Sequence, residues 1–308
     1  MRRLILLIPI LVAISVISFG LIHLAPGDPA EVILRALGMQ LTQDAIAQMR
    51  TELGLNDPVA VQYVRWLWRA LHLDLGQSVR TGSPVAELLL TRLPATIQLT
   101  LASLLFALII ALPVGIAAAA KQYTPIDHAS RVFALIGASM PSFWLGLLLM
   151  YAFAVKLGWL PALGRGSTKH LVLPALTLSL GIAPTYSRLL RASLCEVLSE
   201  PYVTTARAKG LPERMVIVSH ALRNALIPFV TVFGMSFAHL LAGAVVIETI
   251  FAWPGIGKLA VEAILTRDFP VVQAFVLITA TLFVLANLVV DISYRLLDPR
   301  IRLEGGSR

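Results

Sequence analysis

Few residues in this chain have types or spacings that do chemistry. A single cysteine, Cys195, rules out an intramolecular disulfide, a Cys-x-x-Cys redox pair and a cysteine-based zinc cluster. His23, His170 and His239 are scattered without metal-ligand spacing, and neither His-Glu-x-x-His nor a nucleophile with its base occurs. Gly257-Lys258 invites a phosphate-loop reading, but Ala252 stands where that loop needs its first glycine and Leu259 where it needs Ser or Thr. A tight turn that starts a helix from Ile256 toward Thr266 explains these glycines instead. What remains is soft ligation: His239 with the thioethers of Met140 and Met235 would offer transient contacts to a soft metal cation on a pathway. The competing reading is a neutral His239 hydrogen-bonded to a neighbouring helix. No metal site, cofactor or catalytic residue is expected on this chain.

The elements that carry these residues follow from composition. Of 308 residues, 57% are hydrophobic and 14% charged, against about 25% charged in a soluble domain, so the natural solvent is a bilayer. Backbone polar groups in hydrocarbon are satisfied only within helices or closed barrels, and a spanning helix needs about 20 apolar residues. Six stretches lack Asp, Glu, Lys and Arg, and none shows the alternation of barrel strands. They predict an all-α, polytopic membrane protein with six transmembrane helices at about 4–24, 95–119, 132–155, 171–191, 225–247 and 270–291. Arg2 and Arg3 precede an apolar run that is too long for a signal-peptide core and lacks a small-x-small cleavage site, so an uncleaved anchor is expected. No span holds the acid or base pair of a proton- or sodium-coupled carrier, which argues against a secondary transporter or channel working alone.

The net charge of +8 sets orientation. Arg2 and Arg3, the tail residues Arg295, Arg300, Arg302 and Arg308, and the 193–223 loop with its flanks collect basic residues and are assigned to the cytoplasm. Lys156, Arg165 and Lys169 dissent and are outvoted. The outer segment, 25–92, contains two amphipathic helices. One is capped by Thr42 and stopped at Gly54; the other begins at Asp57-Pro58 and carries Tyr63, Trp66, Trp68 and Leu71, and either lies along the outer membrane surface or packs as a small cap. In the cytoplasmic loop, Ser199 as a cap, Pro201 in the first turn, Lys209 in the last and Gly210 with Pro212 beyond it frame a helix of about two and a half turns. Such a helix is too short to persist alone in water, so either its own membrane domain or a partner protein must hold it. Pro141, Gly146, Gly181, Pro184, Pro228 and Gly234 mark bends in the spans, while Gly234, Ala238 and Ala242 at four-residue spacing also read as a close-packing stripe.

These segments together resemble the permease subunits of bacterial ATP-binding-cassette (ABC) importers of the dipeptide, oligopeptide and nickel family. The likeness rests on Gly27-Asp28-Pro29, Leu93-Pro94-Ala95-Thr96, Ser139-Met140-Pro141-Ser142-Phe143-Trp144, Leu189-Leu190-Arg191-Ala192-Ser193, Thr205-Ala206-Arg207-Ala208-Lys209-Gly210-Leu211, His220-Ala221-Leu222-Arg223-Asn224-Ala225 and Leu297-Asp298-Pro299-Arg300-Ile301-Arg302. Trp66-Leu67-Trp68-Arg69-Ala70-Leu71-His72-Leu73-Asp74 and Ile250-Phe251-Ala252-Trp253-Pro254-Gly255 are more similar to the nickel permease B subunit than to the dipeptide ones. The resemblance implies a type I importer fold, import of nickel or a nickel chelate with di- or oligopeptides as the alternative cargo, and a location in the bacterial inner membrane with both termini cytoplasmic. It also implies a second homologous permease, two cytoplasmic ATPases that hydrolyse the ATP, and a periplasmic or lipid-anchored binding protein. Tyr202, Thr205, Ala206, Arg207, Lys209, Gly210 and Leu211 would then be the residues that dock on the ATPase. The Glu and Pro of the general importer loop motif are missing here.

Overall fold

The structure, a computed structural model, describes residues 2–24, 28–36 and 38–297. Gly27 of the Gly-Asp-Pro motif, the motif after Leu297 and the side chains of His23, Gly234, Met235, Ala238, His239 and Ala242 lie outside the described residues. The described residues form helices and connecting turns, with one isolated bridge between Gln77 and Pro84 and no strand. In chain order the helices are α1 (Arg2–Leu24), α2 (Pro29–Ala36), α3 (Gln43–Glu52), α4 (Val59–Leu71), α5 (Val85–Ala120), α6 (Pro125–Ser139), α7 (Ser142–Leu149), α8 (Thr168–Leu198), α9 (Pro201–Ala208), α10 (Glu213–Met215), α11 (Leu222–Ile250), α12 (Ile256–Thr266) and α13 (Phe269–Leu297). Two π-helical stretches, Met150–Lys156 and Val216–Ala221, follow α7 and α10. Among the described residues, Val85–Ala120 and Phe269–Val289 are each long and apolar enough to cross a membrane; Pro125–Ser139 with Ser142–Lys156 qualifies as a pair bent by 107°.

The helices sort into two compact units, Met1–Thr96 with Pro254–Val284, and Ile97–Trp253 with Leu285–Arg308. In the first unit, Val85 and Leu89 of α5 pack with Ile256, Leu259 and Ala263 of α12 and Val271 and Ala274 of α13. The Asp-Pro motif has a local cause, since the Asp28 carboxylate accepts from the Ala30 N–H and Pro29 fills the first helical position of α2, where its missing N–H costs nothing. Thr42 caps α3 by accepting from the Ala45 N–H, and Gly54 beyond it takes φ +66. On α4, Tyr63 and Trp66 pack around Phe19 of α1, with ring centroids 5.5 and 5.7 Å away, while Val61, Val64, Trp68 and Leu71 are exposed. α12 runs from Ile256 to Thr266, as the sequence reading has it, and the turn before it adds a detail. The left-handed residue is Ala252, with φ +50, whereas Gly255 is extended at the N-cap. Glycine offers no capping side chain there, and Thr96 Oγ1 of α5 accepts from the Ile256 N–H at 2.9 Å instead.

The second unit is built around α8, which buries fourteen of its residues, Leu173 to Leu198, against its neighbours. Its polar residues are neutralised locally: Thr177 donates to the Leu173 carbonyl, Ser179 to Leu176 and Ser187 to Pro184. The last of these bonds goes to the carbonyl of Pro184 itself, a proline inside the helix. Tyr186 of α8 packs on Phe229 and Phe233 of α11 at 5.7 and 5.6 Å. Close approach of α6 depends on a glycine, because a Cβ at Gly137 would lie 2.3 Å from Pro184 Cγ.

Gly137→Ala sets two effects against each other. Alanine favours a helix by about 1 kcal/mol over glycine, but forcing a methyl against a rigid ring costs about 1–3 kcal/mol. Gly181→Ala, in α8 with nothing within 4 Å, meets only the favourable effect. Thermal unfolding in detergent is expected to show a lower midpoint for Gly137→Ala and an equal or higher one for Gly181→Ala.

Candidate functional site

The short helix α9 is where the sequence expectations converge, and its ends are fixed by backbone chemistry. Ser199 is not its N-cap: it ends α8, in αR conformation, and its hydroxyl donates to the Glu196 carbonyl at 2.6 Å. Pro201 occupies the first helical position, so the cap falls on Glu200, whose carbonyl accepts from Val203 and Thr204. At the other end Lys209 is the C-cap and Gly210 takes φ +77. The Gly210 N–H donates to the Arg207 carbonyl at 2.9 Å and the Leu211 N–H to Ala206 at 3.4 Å, the paired bonds of a Schellman stop. Pro212 is then the N-cap of α10.

Of the two holders anticipated for so short a helix, the chain's own core is the one the structure shows. Val203 and Ala206 are buried in the unit's own apolar core, with Leu190, Leu194, Leu198, Val216 and Ile217. The opposite side is open: Tyr202, Thr204, Thr205, Arg207, Ala208, Lys209 and Gly210 are exposed, and Leu211 is half-buried against the core. Of the seven expected docking residues, Ala206 therefore faces the chain's own core, Leu211 is half-buried against it, and the other five are exposed and include two cations. Tyr202 is steadied by the Asn224 side-chain amide, which donates to its hydroxyl at 2.7 Å. Arg207 grips Glu213 with Nη2 at 2.7 Å and Nε at 3.2 Å, closing the turn over Gly210. Sequence reasoning missed that pair. Its signal was available in opposite charges six apart, flanking Gly210 and Pro212.

The possible pathway residues are not brought into a described cluster. Met140 is half-buried and extended at the break between α6 and α7, while the side chains of Met235 and His239 on α11 lie outside the described residues. Among the described residues no three His, Cys, Asp or Glu side chains are grouped to hold a metal. His170 is engaged locally, its Nδ1 accepting from the Ser167 N–H at the start of α8. The Phe251–Lys258 segment has a packing role: Trp253 is 1% exposed, and the Arg165 guanidinium lies 5.5 Å from its ring centroid while donating to Gln98.

The fold is that of the permeases of type I ABC importers. A methionine ABC transporter solved in inward-facing conformations superposes with a TM-score of 0.58 at 20% identity, over 68% of this chain and 96% of that one. An amino acid ABC transporter gives 0.55 at 15% identity, over 68% and 94%. The chain belongs to the family described as the binding-protein-dependent transport system inner membrane component, whose profile matches residues 111–303, with the N-terminal component of the same systems matching 1–100. It is 44% identical to the dipeptide transport system permease protein DppB of Alkalihalophilus pseudofirmus, over 98% of both chains. It is 43% identical to the glutathione transport system permease protein GsiC of Salmonella paratyphi A, over 98% of both, and 40% identical to the oligopeptide transport system permease protein AppB of Bacillus subtilis, over 97% and 98%. It is thus a permease subunit of an ABC importer, a transporter component of a family that works with ATPase and substrate-binding partners.

The Arg207 guanidinium, by hydrogen bonding, holds the Glu213 carboxyl below its ordinary value of 4.5. A depressed carboxylate contributes its stabilisation above the unfolded value and loses it as pH falls through the folded one. Hydrogen exchange of residues 201–215 in the purified protein is therefore expected to be flat from pH 7 to about 5, after correction for intrinsic rates, and to accelerate below the ordinary glutamate value. Glu213→Gln is expected to remove that pH step.

Proposed function

We propose that this chain is one of two permease subunits of an importer that carries short peptides across the bacterial inner membrane. The observation that carries the cargo is the similarity, over nearly the whole length, to permeases named for dipeptide, glutathione and oligopeptide transport. Nickel, the first expectation from the aromatic motifs, has no counterpart among those names, and the peptide reading takes its place. Six helices, at about 4–24, 95–119, 132–155, 171–191, 225–247 and 270–291, cross the membrane with both termini in the cytoplasm. A second, homologous permease completes the pathway, a binding protein delivers the cargo from outside, and two separate ATPase subunits hydrolyse ATP.

In this reading α9 is the coupling element. Its buried Val203 and Ala206 fix it to the core that α8 and α11 share, and its exposed Tyr202, Thr205, Arg207, Lys209 and Gly210, with Leu211, meet a cleft on one ATPase. Closure of the ATPases pushes α9, and the push reaches the helices through that core. The population of inward and outward states then shifts only by the difference in interaction between them.

Uptake in a strain lacking its own peptide and nickel importers, supplied with this permease and its partner subunits, separates the cargoes. Labelled dipeptide is expected to accumulate and radioactive nickel is not; nickel uptake without peptide uptake sinks the peptide assignment. Gly210→Val places a β-branched residue at φ +77, which costs on the order of 1–2 kcal/mol or more and breaks the stop that sets the length of α9. The variant is expected to insert normally while uptake falls by about tenfold. Normal uptake by Gly210→Val removes α9 from the coupling role.

A further inference from the structure

The first turn of α6 holds a carboxylate that the transport reading above does not use. No part of Asp127 is exposed, and its two oxygens collect five donors. Arg191 of α8 donates through Nε at 2.5 Å and Nη2 at 2.8 Å; Arg131 donates through Nη2 at 2.8 Å and Nε at 3.3 Å, and the Tyr123 N–H at 3.0 Å. Arg131 is half-exposed, whereas the side chain of Arg191 keeps 21% of its surface, so Arg191 is the partner with more to lose. A buried ion pair is a weak source of stability, because well-packed apolar residues hold two helices as firmly. Its distinctive property is a fixed register.

That register links two things the transport cycle has to connect. Arg191 sits between Leu190 and Leu194, both fully buried in the core that also holds Val203 and Ala206 of α9. Ten residues further along α6, about 15 Å by helical rise, Gly137 lies against Pro184 of α8, and two residues later α6 reaches its 107° bend. With one tie in its first turn and a close contact in its last, α6 cannot tilt independently of α8. We propose that Asp127 is a positioning residue for coupling: by clasping Arg191 it makes α6 move with α8, so that displacement of α9 arrives at the bend between Ser139 and Ser142. This rests on the coupling role given to α9.

The test uses the complete importer in lipid vesicles, with Asp127→Asn, Asp127→Glu and the neutral pair Asp127→Asn with Arg191→Gln. Per assembled complex, it measures basal ATPase, ATPase stimulated by loaded binding protein, and cargo moved per ATP. Asp127→Asn is expected to keep basal ATPase while the ratio of stimulated to basal activity and the cargo moved per ATP fall about fivefold or more, the scale of a typical coupling energy. Asp127→Glu is expected to restore most of both. Loss of packing alone would reduce the amount of complex and leave these ratios unchanged. If Asp127→Asn assembles poorly because Arg191 is left unpaired, the neutral pair is expected to assemble and still show the lowered ratios. Wild-type ratios in either assembled variant overturn the clasp, and so does failure of both to assemble, which assigns the pair to folding. No uptake by the wild-type complex overturns the import reading, whereas equal uptake by wild type and variants overturns only the clasp.

Discussion

The second unit depends on keeping α8 surrounded by protein. With Thr177, Ser179, Ser187 and Tyr186 along its length, α8 is too polar to be a lipid-facing helix, and its hydroxyls are returned to its own carbonyls or enclosed by α6, α7 and α11. Both elements to which a coupling role is proposed are attached to it. Its C-terminal end supplies Leu194 and Leu198 to hold α9, and one turn earlier it supplies Arg191 to hold α6. A single buried helix therefore contacts both α9 and α6. The contrast with α5 is instructive. At 36 residues α5 extends about 54 Å, well beyond the roughly 30 Å of hydrocarbon, and presents several leucines outward.

How much of this could be read from residues alone depended on whether the cause was local. Pro201, Gly210 and Pro212 placed α9 because φ restriction and left-handed freedom act within one turn. Ser199 misled because its capping tendency is real but Pro201 had already set where the helix starts. The buried face of α9 stayed hidden, since in eight residues Val203 and Ala206 form no period long enough to distinguish from chance. Gly255 and Gly257 suggested a glycine turn, yet the strained position belongs to Ala252, and the cap on α12 comes from Thr96, 160 residues away. No local rule reaches that far. Pro141 announced the break in the third charge-free run but not its angle, and Asp127 gave no signal, because the Arg191 it clasps lies 64 residues away.

Two of the aromatic residues that first suggested nickel, Trp66 and Trp253, are held by packing, whereas Trp68 is exposed. Trp253 is almost wholly buried beneath Arg165, and Trp66 fits against Phe19. Residues in such positions are constrained by the volume they fill and the rings they meet, so their likeness to another permease reports a shared fold more than a shared cargo. Whole-length similarity weighs every position at once, and the permeases it points to are named for peptides.

The stop at Gly210 has a consequence for how a partner would engage this chain. An eight-residue segment without fixed ends would have to be ordered on contact, at a cost of about 1–2 kcal/mol for each backbone residue that loses its freedom. With Pro201 at one end, the Schellman bonds and the Arg207–Glu213 pair at the other, and Val203 and Ala206 held beneath, that cost has been met in folding. The ATPase would find a surface already in its binding conformation. Its affinity could then respond to the ATPase's own nucleotide state, without being spent on shaping the permease.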